Sequence, residues 1–383
     1  MHPVILTLGW AMAGLAVVGT VYTAAAAFLT LRFMTGAKWP DAPWPDVTII
    51  KPLHGAIPGL RENLERFCEQ DYPGQVQIVF GVHDAEDGAV AVVRALQAAH
   101  PAADITLVVD PRVHGVNLKV SNLINIAARV KHPVLVLSDA DIHVERDYLR
   151  AVTGALSAPG VDLVSCLYVG KSDGGAWSTL SALAIDYHFL PSVVVGQALN
   201  LAHPCFGSTI ALRADMLQRI GGFEAFADHL ADDYEIGRAV RAAGGRIAVP
   251  PMVVSHLCPE ASAPALLDHE LRWGRTVRQI DPLGYAGSLI TYPFPLALAA
   301  GGFLGFNAES VGLIFTTLGV RIALKACIDA ATSARAGPFW LVPLRDVLSF
   351  GVFIASFAVN TVGWRGSRFR VGRGGVLSNS KGS

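Results

Sequence analysis

Two aspartates separated by one residue follow an apolar run near the middle of the chain. The run 134–137 in "VLVLSDADIH" has the composition of a buried strand, and Asp139 and Asp141 come directly after it. Hard divalent cations such as Mg²⁺ or Mn²⁺ prefer oxygen ligands, and Mg²⁺ usually takes one or two carboxylates together with substrate phosphates. The pattern therefore predicts a metal site on a diphosphate, although aspartates also occur in such places as turn or N-cap residues.

A second acidic pair opens a predicted helix. In "HLADDYEIGRAVRAAGG" (229–245), Asp232 and Asp233 precede an amphipathic pattern whose apolar side includes Ile236 and Val240. Acids in the first turn stabilise a helix by about 0.3–1 kcal/mol, so a purely structural role is open. In the functional interpretation Asp233 is a general base, because pocket burial and a neighbouring carboxylate raise the pKa of such a group into a useful range.

A basic helical face follows further along the chain. In "HELRWGRTVRQ" (269–279), Arg272, Arg275 and Arg278 are spaced three residues apart, and Trp273 lies beside them. Guanidinium geometry suits phosphate oxygens, which makes Arg272 a candidate phosphate ligand and Trp273 a candidate wall of an acceptor site. The alternative is an interfacial helix that lies on anionic lipid.

Alternating strands and helices must position these residues. Strand patterns occur at 46–51, 76–82, 104–110 and 133–141, with helical patterns at 59–73, 89–101 and 119–130. Continuous apolar strands in this alternation predict a mostly parallel sheet, in which ligands bind beyond the carboxyl ends of the strands. Lys51, Asp84 and the D-x-D pair fall at those ends. Neither G-x-G-x-x-G after the first strand nor G-x-x-x-x-G-K-[ST] occurs, which argues against a dinucleotide fold and a P-loop.

The composition indicates a membrane protein. Of the 383 residues, 52% are hydrophobic and only 16% charged, against roughly 25% charged in soluble domains. Residues 4–31 carry no charge and are long enough to span a bilayer, so 1–33 is predicted to be a retained anchor. Arg32 and Lys38 follow it, which predicts that this end faces the cytoplasm. The net charge of −1 offers no basic field for nucleic acid.

Apolar composition returns after a soluble region at 46–281. The segments 283–304, 310–331 and 339–364 predict a membrane region of about three helices at 283–364, and a basic flexible tail follows at 365–383. The prolines of the first segment are expected to kink it. Mutual pairing or snorkelling explains the charges within these segments most simply, and contact with a lipid head group is the alternative. These charged residues are Arg321, Lys325, Arg345 and Asp346.

The positive-inside rule conflicts with a count of four spans. Four spans place the basic tail on the face opposite to Arg32, although both ends are basic. Either one late segment is re-entrant or interfacial, or the tail is exported despite its charge.

Two further features are open to a structural interpretation. The segment 177–200 is apolar but broken by Asp186, His188 and Pro191, so it is either a membrane-surface element that lines the access of an acceptor or an ordinary core helix. The five cysteines are widely spread and have no metal-site spacing, which predicts reduced and mostly buried residues in a cytosolic setting.

Six short motifs occur in the order and spacing of processive-type inverting glycosyltransferases: "KPLHG", "GVHDAED", "GVNLKVSNLIN", "LSDADIHV", "DDYEIGRAV" and "HELRW". The chain resembles the ceramide glucosyltransferase family (glycosyltransferase family 21), and more narrowly its bacterial branch associated with hopanoid biosynthesis. The resemblance covers nearly the whole chain and depends on the ordered set, because each motif alone is weak. It implies an α/β nucleotide-sugar-binding domain of glycosyltransferase A type plus transmembrane helices.

The resemblance also implies roles for the acidic residues, since that family carries a D, D, D, (Q/R)xxRW signature. Asp84 takes the first position and is expected to contact the nucleotide base. Asp139 and Asp141 are expected to hold the metal on the diphosphate. Asp233 takes the third position and is expected to deprotonate the acceptor hydroxyl.

The remaining signature positions are basic or aromatic. Arg272 and Trp273 match the RW pair, but His269 stands where the signature has Gln or Arg. That departure puts in question the family role of this position, which is contact with the donor and closure of the site. Lys51 and Lys119 match basic positions near the nucleotide and are expected either to contact phosphate or ribose or to be plain surface lysines.

Together these parts predict an inverting enzyme, dependent on Mg²⁺ or Mn²⁺, in the inner membrane with its catalytic domain facing the cytoplasm. It would transfer one sugar from a UDP-sugar to a lipid hydroxyl. The resemblance favours N-acetylglucosamine from UDP-N-acetylglucosamine onto bacteriohopanetetrol, with UDP-glucose and ceramide as the alternative. A polysaccharide synthase is a second hypothesis, but it would need more membrane spans to form a channel. A catalytically inactive sensor of nucleotide sugars is a third, but it would not need the metal, base and phosphate positions that all carry suitable residues here. No nucleic-acid partner is expected.

Overall fold

The structure is a computed structural model that describes residues 3–36, 43–203 and 205–358, and beyond them the backbone of three short strands. The strands of the described residues are β1 (Val47–Pro52), β2 (Val76–Val82), β3 (Asp104–Val109), β4 (Val134–Leu137), β5 (Ile142–His143), β6 (Val161–Ser165), β7 (Leu167–Ser172), β8 (Ile210–Arg213), β9 (Arg246–Ala248), β10 (Val253–Cys258), β11 (Thr361–Trp364), β12 (Ser367–Val371) and β13 (Leu377–Asn379).

The helices alternate with these strands and then continue alone. They are α1 (Pro3–Met34), α2 (Leu60–Cys68), α3 (Gly88–Ala99), α4 (Leu118–Ala127), α5 (Tyr148–Leu156), α6 (Ala176–Ala184), α7 (Leu190–Ala198), α8 (Ala214–Arg219), α9 (Asp232–Ala242), α10 (Ala263–Ile280), α11 (Pro282–Gly287), α12 (Pro293–Leu304), α13 (Ala308–Thr332) and α14 (Leu341–Ser356). A π-helical turn at Ile185–Phe189 joins α6 to α7.

The main sheet has seven strands in the order β3-β2-β1-β4-β8-β6-β9. All neighbouring pairs are parallel except those of β8, which runs antiparallel to β4 and β6, so the predicted mostly parallel α/β sheet is confirmed. Strands β1 and β4 are buried along most of their length because helices cover both faces. The carboxyl ends of β1, β2 and β4 meet at one edge, and Lys51, Asp84 and Asp139 lie there.

A second, three-stranded sheet lies beside this edge. Its order is β5-β10-β7, with β10 parallel to β7 and antiparallel to β5. Strand β5 directly follows the D-x-D turn, and its Ile142 pairs with His256 of β10. The pairing therefore brings a residue from late in the chain to the two aspartates.

Local sequence sets where the site helices begin. The Asn117 side chain accepts hydrogen bonds from the backbone N–H groups of Lys119 and Val120, which caps α4. Helix α9 begins at Asp232 with acids throughout its first turn, and Ser262 caps α10 by accepting from the Ala265 N–H. The predicted helix starts near 119 and 232 are therefore correct.

Long apolar helices from both ends of the chain pack together. Within the described residues three helical stretches are long and apolar enough to cross a membrane: α1, the α6–α7 stretch at 176–198, and α13. Helix α1 packs against α7, α12 and α13 through a stripe of small residues, as is usual between membrane helices. The α6–α7 stretch is more buried within the protein than the other two.

The segment predicted as a span at 283–304 is broken. Its two halves, 282–291 and 293–304, meet at a bend of 70° that coincides with Pro293, so the expected kink is confirmed. The halves make either a broken span or a re-entrant loop, and the second form matches one solution to the positive-inside conflict. Of the predicted tail at 365–383, the described part is the backbone of β12 and β13.

The charges of the C-terminal helices form ion pairs, as interpreted from sequence, although one of their partners lies outside these helices. Arg321 binds Asp346 through two hydrogen bonds of 2.8 and 2.6 Å. Lys325 lies 3.0 Å from Asp329. The Arg345 guanidinium lies 2.6 Å from a carboxylate of α10, that of Glu270, which ties α10 to α14. All five cysteines are free, and Cys166, Cys205 and Cys258 are buried, as predicted.

Candidate functional site

One lysine joins the two acidic motifs. The Lys119 Nζ, from the first turn of α4, lies 2.7 Å from Asp139 Oδ1 and 3.0 Å from Asp232 Oδ2. Burial disfavours the charge of Lys119, but the three surrounding carboxylates more than offset this and raise the pKa of the ammonium. The turn after β4 and the start of α9 therefore form one acidic cleft around a fixed cation.

Gly207 brings the Asp233 carboxylate to the same cleft. Its backbone N–H donates to Asp233 Oδ2 at 3.0 Å, and its carbonyl accepts from the Asp139 N–H at 3.0 Å. A Cβ at this position would collide with Asp139 Oδ2. The chain passes so close to the D-x-D turn that a larger residue at this position would displace the Asp139 carboxylate.

Asp141 has a different partner, which the motifs did not predict. Its Oδ2 lies 3.4 Å from His256 Nε2, and its backbone carbonyl accepts from the Leu257 N–H at 2.8 Å. Its Oδ1 is buried and has no hydrogen-bond partner among the described residues. Strand β10 thus fixes one oxygen of Asp141 and leaves the other available.

The carboxylates have unequal proton affinities. Burial, followed by the charge of Asp232, raises the pKa of Asp233 to about 6 against the opposing effect of Lys119. Burial also raises the pKa of Asp139. For Asp141, burial is outweighed by the charge and hydrogen bond of His256, so its pKa falls to about 2. Near neutral pH, Asp233 is therefore suited to take up a proton and Asp141 stays ionised.

The D-x-D pair fits a hard divalent cation. The unpartnered Asp141 Oδ1 and the half-buried Asp139 carboxylate supply oxygen ligands one residue apart. The described residues contain no group of three or more His, Cys, Asp or Glu side chains that could hold a metal by themselves. This agrees with the usual Mg²⁺ arrangement, in which one or two carboxylates share the ion with substrate phosphates.

Lys51 is fully buried and Lys119 is mostly buried, with 17% of its side chain exposed, so neither is a plain surface lysine. Lys51 is 0% exposed, lies 3.7 Å from the centroid of the Phe67 ring, and donates to Ser138 Oγ at 3.2 Å and to the Asp139 carbonyl at 2.8 Å. Burial lowers the pKa of this lysine to about 7. Lys51 thus holds the backbone of the D-x-D turn, whereas Lys119 contacts the Asp139 carboxylate itself.

Helix α10 supplies the basic and aromatic side of the cleft. His269 and Trp273 are one turn apart, with ring centroids at 4.3 Å, and Trp273 also lies 5.9 Å from the His256 ring. Burial lowers the pKa of Arg272, and the charges of Asp141 and Glu260 partly oppose this shift. Arg272 is therefore close enough to both carboxylates to interact with them electrostatically. The RW pair thus lies beside the D-x-D turn.

Asp84 lies at the same sheet edge but apart from this cluster. It is exposed, and its Oδ1 accepts from the Glu86 N–H at 3.0 Å. Its predicted contact with the base stays a prediction.

Sequence reasoning missed Gly207, His256 and Glu260. None of the three belongs to a motif, and Glu260 stands two residues after the end of β10, so the sequence carried no spacing signal for them.

The chain has the sequence pattern of one known enzyme family along almost its whole length. The model of Glycosyl transferase family 21 matches residues 11–377, which is nearly the whole chain. The chain belongs to glycosyltransferase family 21. It is therefore a glycosyltransferase, as predicted.

Two relatives agree with this family, and a solved structure agrees with the fold. Ceramide glucosyltransferases 1 and 3 of Caenorhabditis elegans are 25% and 23% identical to the chain, over 90% and 88% of it and 75% of each relative. A mannosyltransferase from Pyrobaculum calidifontis, solved with GDP-Man and Mn²⁺, is 22% identical with a TM-score of 0.52, and the match covers 90% of this chain and 99% of that one. The fold is accordingly the predicted glycosyltransferase A type.

Proposed function

We propose that this family 21 enzyme transfers one sugar from a UDP-sugar to the hydroxyl of a membrane lipid, with inversion at the sugar carbon. The observation that carries the proposal is the position of Asp233. Its carboxylate is held by the Gly207 N–H next to the D-x-D turn, and its pKa of about 6 suits a general base.

The chemistry follows from the placement of charges. Asp233 takes the proton from the attacking hydroxyl, which approaches the face of the sugar opposite to the leaving diphosphate, so no covalent enzyme intermediate is needed. Asp139 and Asp141 would hold Mg²⁺ or Mn²⁺, which when bound stabilises the charge that develops on the diphosphate. Arg272 contacts phosphate oxygens from the other side, and Asp84, Lys119 and His269 complete the donor site.

A lipid acceptor is supported by an aromatic wall that links the cleft to the apolar helices. Tyr168 stacks on Phe189 with ring centroids at 4.8 Å, and Phe206, which precedes Gly207, lies 5.7 Å from Tyr168. Phe189 ends the π-helical turn before α7, and α7 packs against α1. This wall supports the membrane-surface interpretation of 177–200, with Trp273 on the acceptor side. The catalytic domain would face the cytoplasm at the inner membrane, because the basic Arg32 ends α1 on the side of this domain.

Two donor and acceptor pairs follow from different arguments. The resemblance to the hopanoid-associated branch favours N-acetylglucosamine from UDP-N-acetylglucosamine onto bacteriohopanetetrol. The names of the relatives favour glucose from UDP-glucose onto ceramide. A polysaccharide synthase is disfavoured because the described residues offer three candidate spans, or four if the bent pair is one span, to enclose a polymer.

The test is transfer by membranes that contain the enzyme. Each labelled donor is incubated with each lipid, and lipid extracts with and without the enzyme are compared by mass spectrometry. A single labelled glycolipid is expected, and it names sugar and acceptor together. A ladder of products would contradict single transfer, and no labelled lipid from any pair would refute the proposed reaction.

A further inference from the structure

A buried carboxylate outside the six motifs holds the ring of His269. Glu260 follows β10, is 5% exposed, and its Oε1 forms a short hydrogen bond to His269 Nδ1. Its Oε2 is buried without a hydrogen-bond partner among the described residues. Because burying a carboxylate is costly, this arrangement needs a reason beyond packing.

The contact fixes which ring nitrogen remains available. An ionised carboxylate only accepts hydrogen bonds, so the shared hydrogen belongs to Nδ1 of His269. Burial raises the pKa of Glu260, but the hydrogen bond and charge of His269 more than offset this and leave the pKa below its ordinary value. Since Nδ1 is engaged, Nε2 is the nitrogen left for another partner, and no described residue bonds to it.

The ring of His269 is one of three neighbouring rings beside Asp141. It packs edge-on against Trp273, its centroid lies 6.5 Å from the ring of His256, which binds Asp141, and Trp273 itself lies 5.9 Å from His256. Arg272 lies one turn further along the same helix and interacts electrostatically with Glu260 and Asp141. A substrate group that packs against Trp273 and lies near Asp141 would therefore be within hydrogen-bonding reach of His269.

We propose that Glu260 is a positioning residue which orients His269 so that its Nε2 hydrogen-bonds a hydroxyl group of a bound substrate. The inference rests on the sugar transfer proposed above. Hydroxyl groups occur on the sugar of the donor and on the acceptor lipid, and either one matches a single imidazole nitrogen. The family signature has Gln or Arg at this position, and neither residue needs a carboxylate to fix a tautomer.

Two substitutions at one position separate this role from a purely structural one. H269N keeps an amide near Nδ1 and its contact with Glu260 but removes the group at Nε2, whereas H269Q places its amide near Nε2. If Nε2 binds substrate, H269Q keeps more activity than H269N, although H269N is the better match for Glu260. If the pair is only structural, the order is reversed.

The experiment measures steady-state kinetics of the full chain in lipid nanodiscs, with thermal unfolding of each variant in parallel. E260Q is expected to lower kcat/KM by roughly ten-fold, the scale of one oriented hydrogen bond. In the H269Q background the same change should cost less than about two-fold, because no imidazole remains to be oriented. The control is E270Q, which changes the residue next to His269 on α10 and removes the ion-pair partner of Arg345. It should lower kcat/KM by the same factor in both backgrounds.

The kinetics also identify the substrate. A rise in KM confined to the lipid assigns the hydroxyl to the acceptor, and a rise confined to the nucleotide sugar assigns it to the donor. Equal losses from E260Q in both backgrounds, or an H269N enzyme that outperforms H269Q, would overturn the inference while leaving the proposed function intact. No transfer by the unmodified enzyme with any pair would instead overturn the proposed function, and the inference with it.

Discussion

The Lys119 ammonium lies 2.7 Å from Asp139 and 3.0 Å from Asp232, and so connects two acidic motifs that lie far apart in the sequence. Without a cation between them, four carboxylates in one cleft would repel one another strongly. Lys119 is mostly buried, so solvent screens these pairs only weakly. The acidic cleft therefore depends on this lysine as much as on its carboxylates.

Asp233→Asn should nearly abolish transfer while leaving donor binding in place. The amide keeps the size of the side chain but cannot take a proton, and loss of a general base typically costs ~10²–10⁴-fold in rate. We expect kcat to fall by that factor with little change in the binding of UDP, measured by calorimetry. Asp215→Asn, at an exposed position of α8, is the matched control and should retain the rate. An Asp233→Asn enzyme within about three-fold of wild type would exclude Asp233 as the base.

The pH profile should report the environment of Asp233. A base with a raised pKa of about 6 is ionised above that pH, so kcat/KM should fall as the pH is lowered through about 6. Asp232 raises this pKa and Lys119 lowers it, so two substitutions should move the acid limb in opposite directions. Asp232→Asn should shift it to lower pH, and Lys119→Met to higher pH. Shifts of the same sign would show that another group controls the limb.

The metal prediction concerns Asp141. Its second oxygen has no hydrogen-bond partner among the described residues, and its low pKa keeps it charged at all physiological pH values. Treatment with EDTA should remove activity, and Mg²⁺ or Mn²⁺ should restore it. Asp141→Asn should weaken Mn²⁺ binding in the presence of UDP, read by electron paramagnetic resonance. Unchanged Mn²⁺ affinity in that variant would remove Asp141 from the ligand set.

Gly207→Ala tests the close approach at the D-x-D turn. The new Cβ would meet the Asp139 carboxylate, so either that side chain or the chain at 207 must move. We expect a loss of kcat/KM of at least ~10-fold, because positioning errors at a reacting centre are costly. Gly312→Ala in α13 is the control, since its Cβ meets nothing within 4 Å and alanine favours helix by about 1 kcal/mol. Full activity of Gly207→Ala would mean that the turn tolerates displacement.

The part of this site that sequence could predict is local. The apolar run before Asp139 and the acidic start of α9 both appear in short windows, and the parallel strands imply a common edge. The Asp141–His256 contact depends instead on the pairing of β5 with β10, and the Glu260–His269 contact on how α10 packs against the chain that follows β10, neither of which any periodicity encodes. Isolated histidines and glutamates carry no spacing signal, so these partners became visible only in the folded chain.

The membrane region shows the same division. The prolines at 293 and 295 predicted the bend before α12, since proline removes a backbone donor and clashes with the preceding turn. That the charges of α13 and α14 would pair was also predictable, because an unpaired charge in an apolar setting is costly. Which charges pair was not predictable, since Arg321 reaches Asp346 across two helices and also donates to the Tyr187 carbonyl at 2.8 Å.

Removing one partner of the Arg321–Asp346 pair should lower the stability of the protein, and removing both partners should restore most of it. Asp346→Ala leaves a buried guanidinium without its counter-ion, which typically costs about 3–5 kcal/mol. The double variant Arg321→Met/Asp346→Leu removes both charges and should regain most of the loss, apart from the bond to Tyr187. Thermal unfolding in nanodiscs measures both, with exposed Arg335→Ala as the control. If the double variant were no more stable than Asp346→Ala, the ion pair itself, rather than the avoidance of an unpaired charge, would stabilise this helix contact.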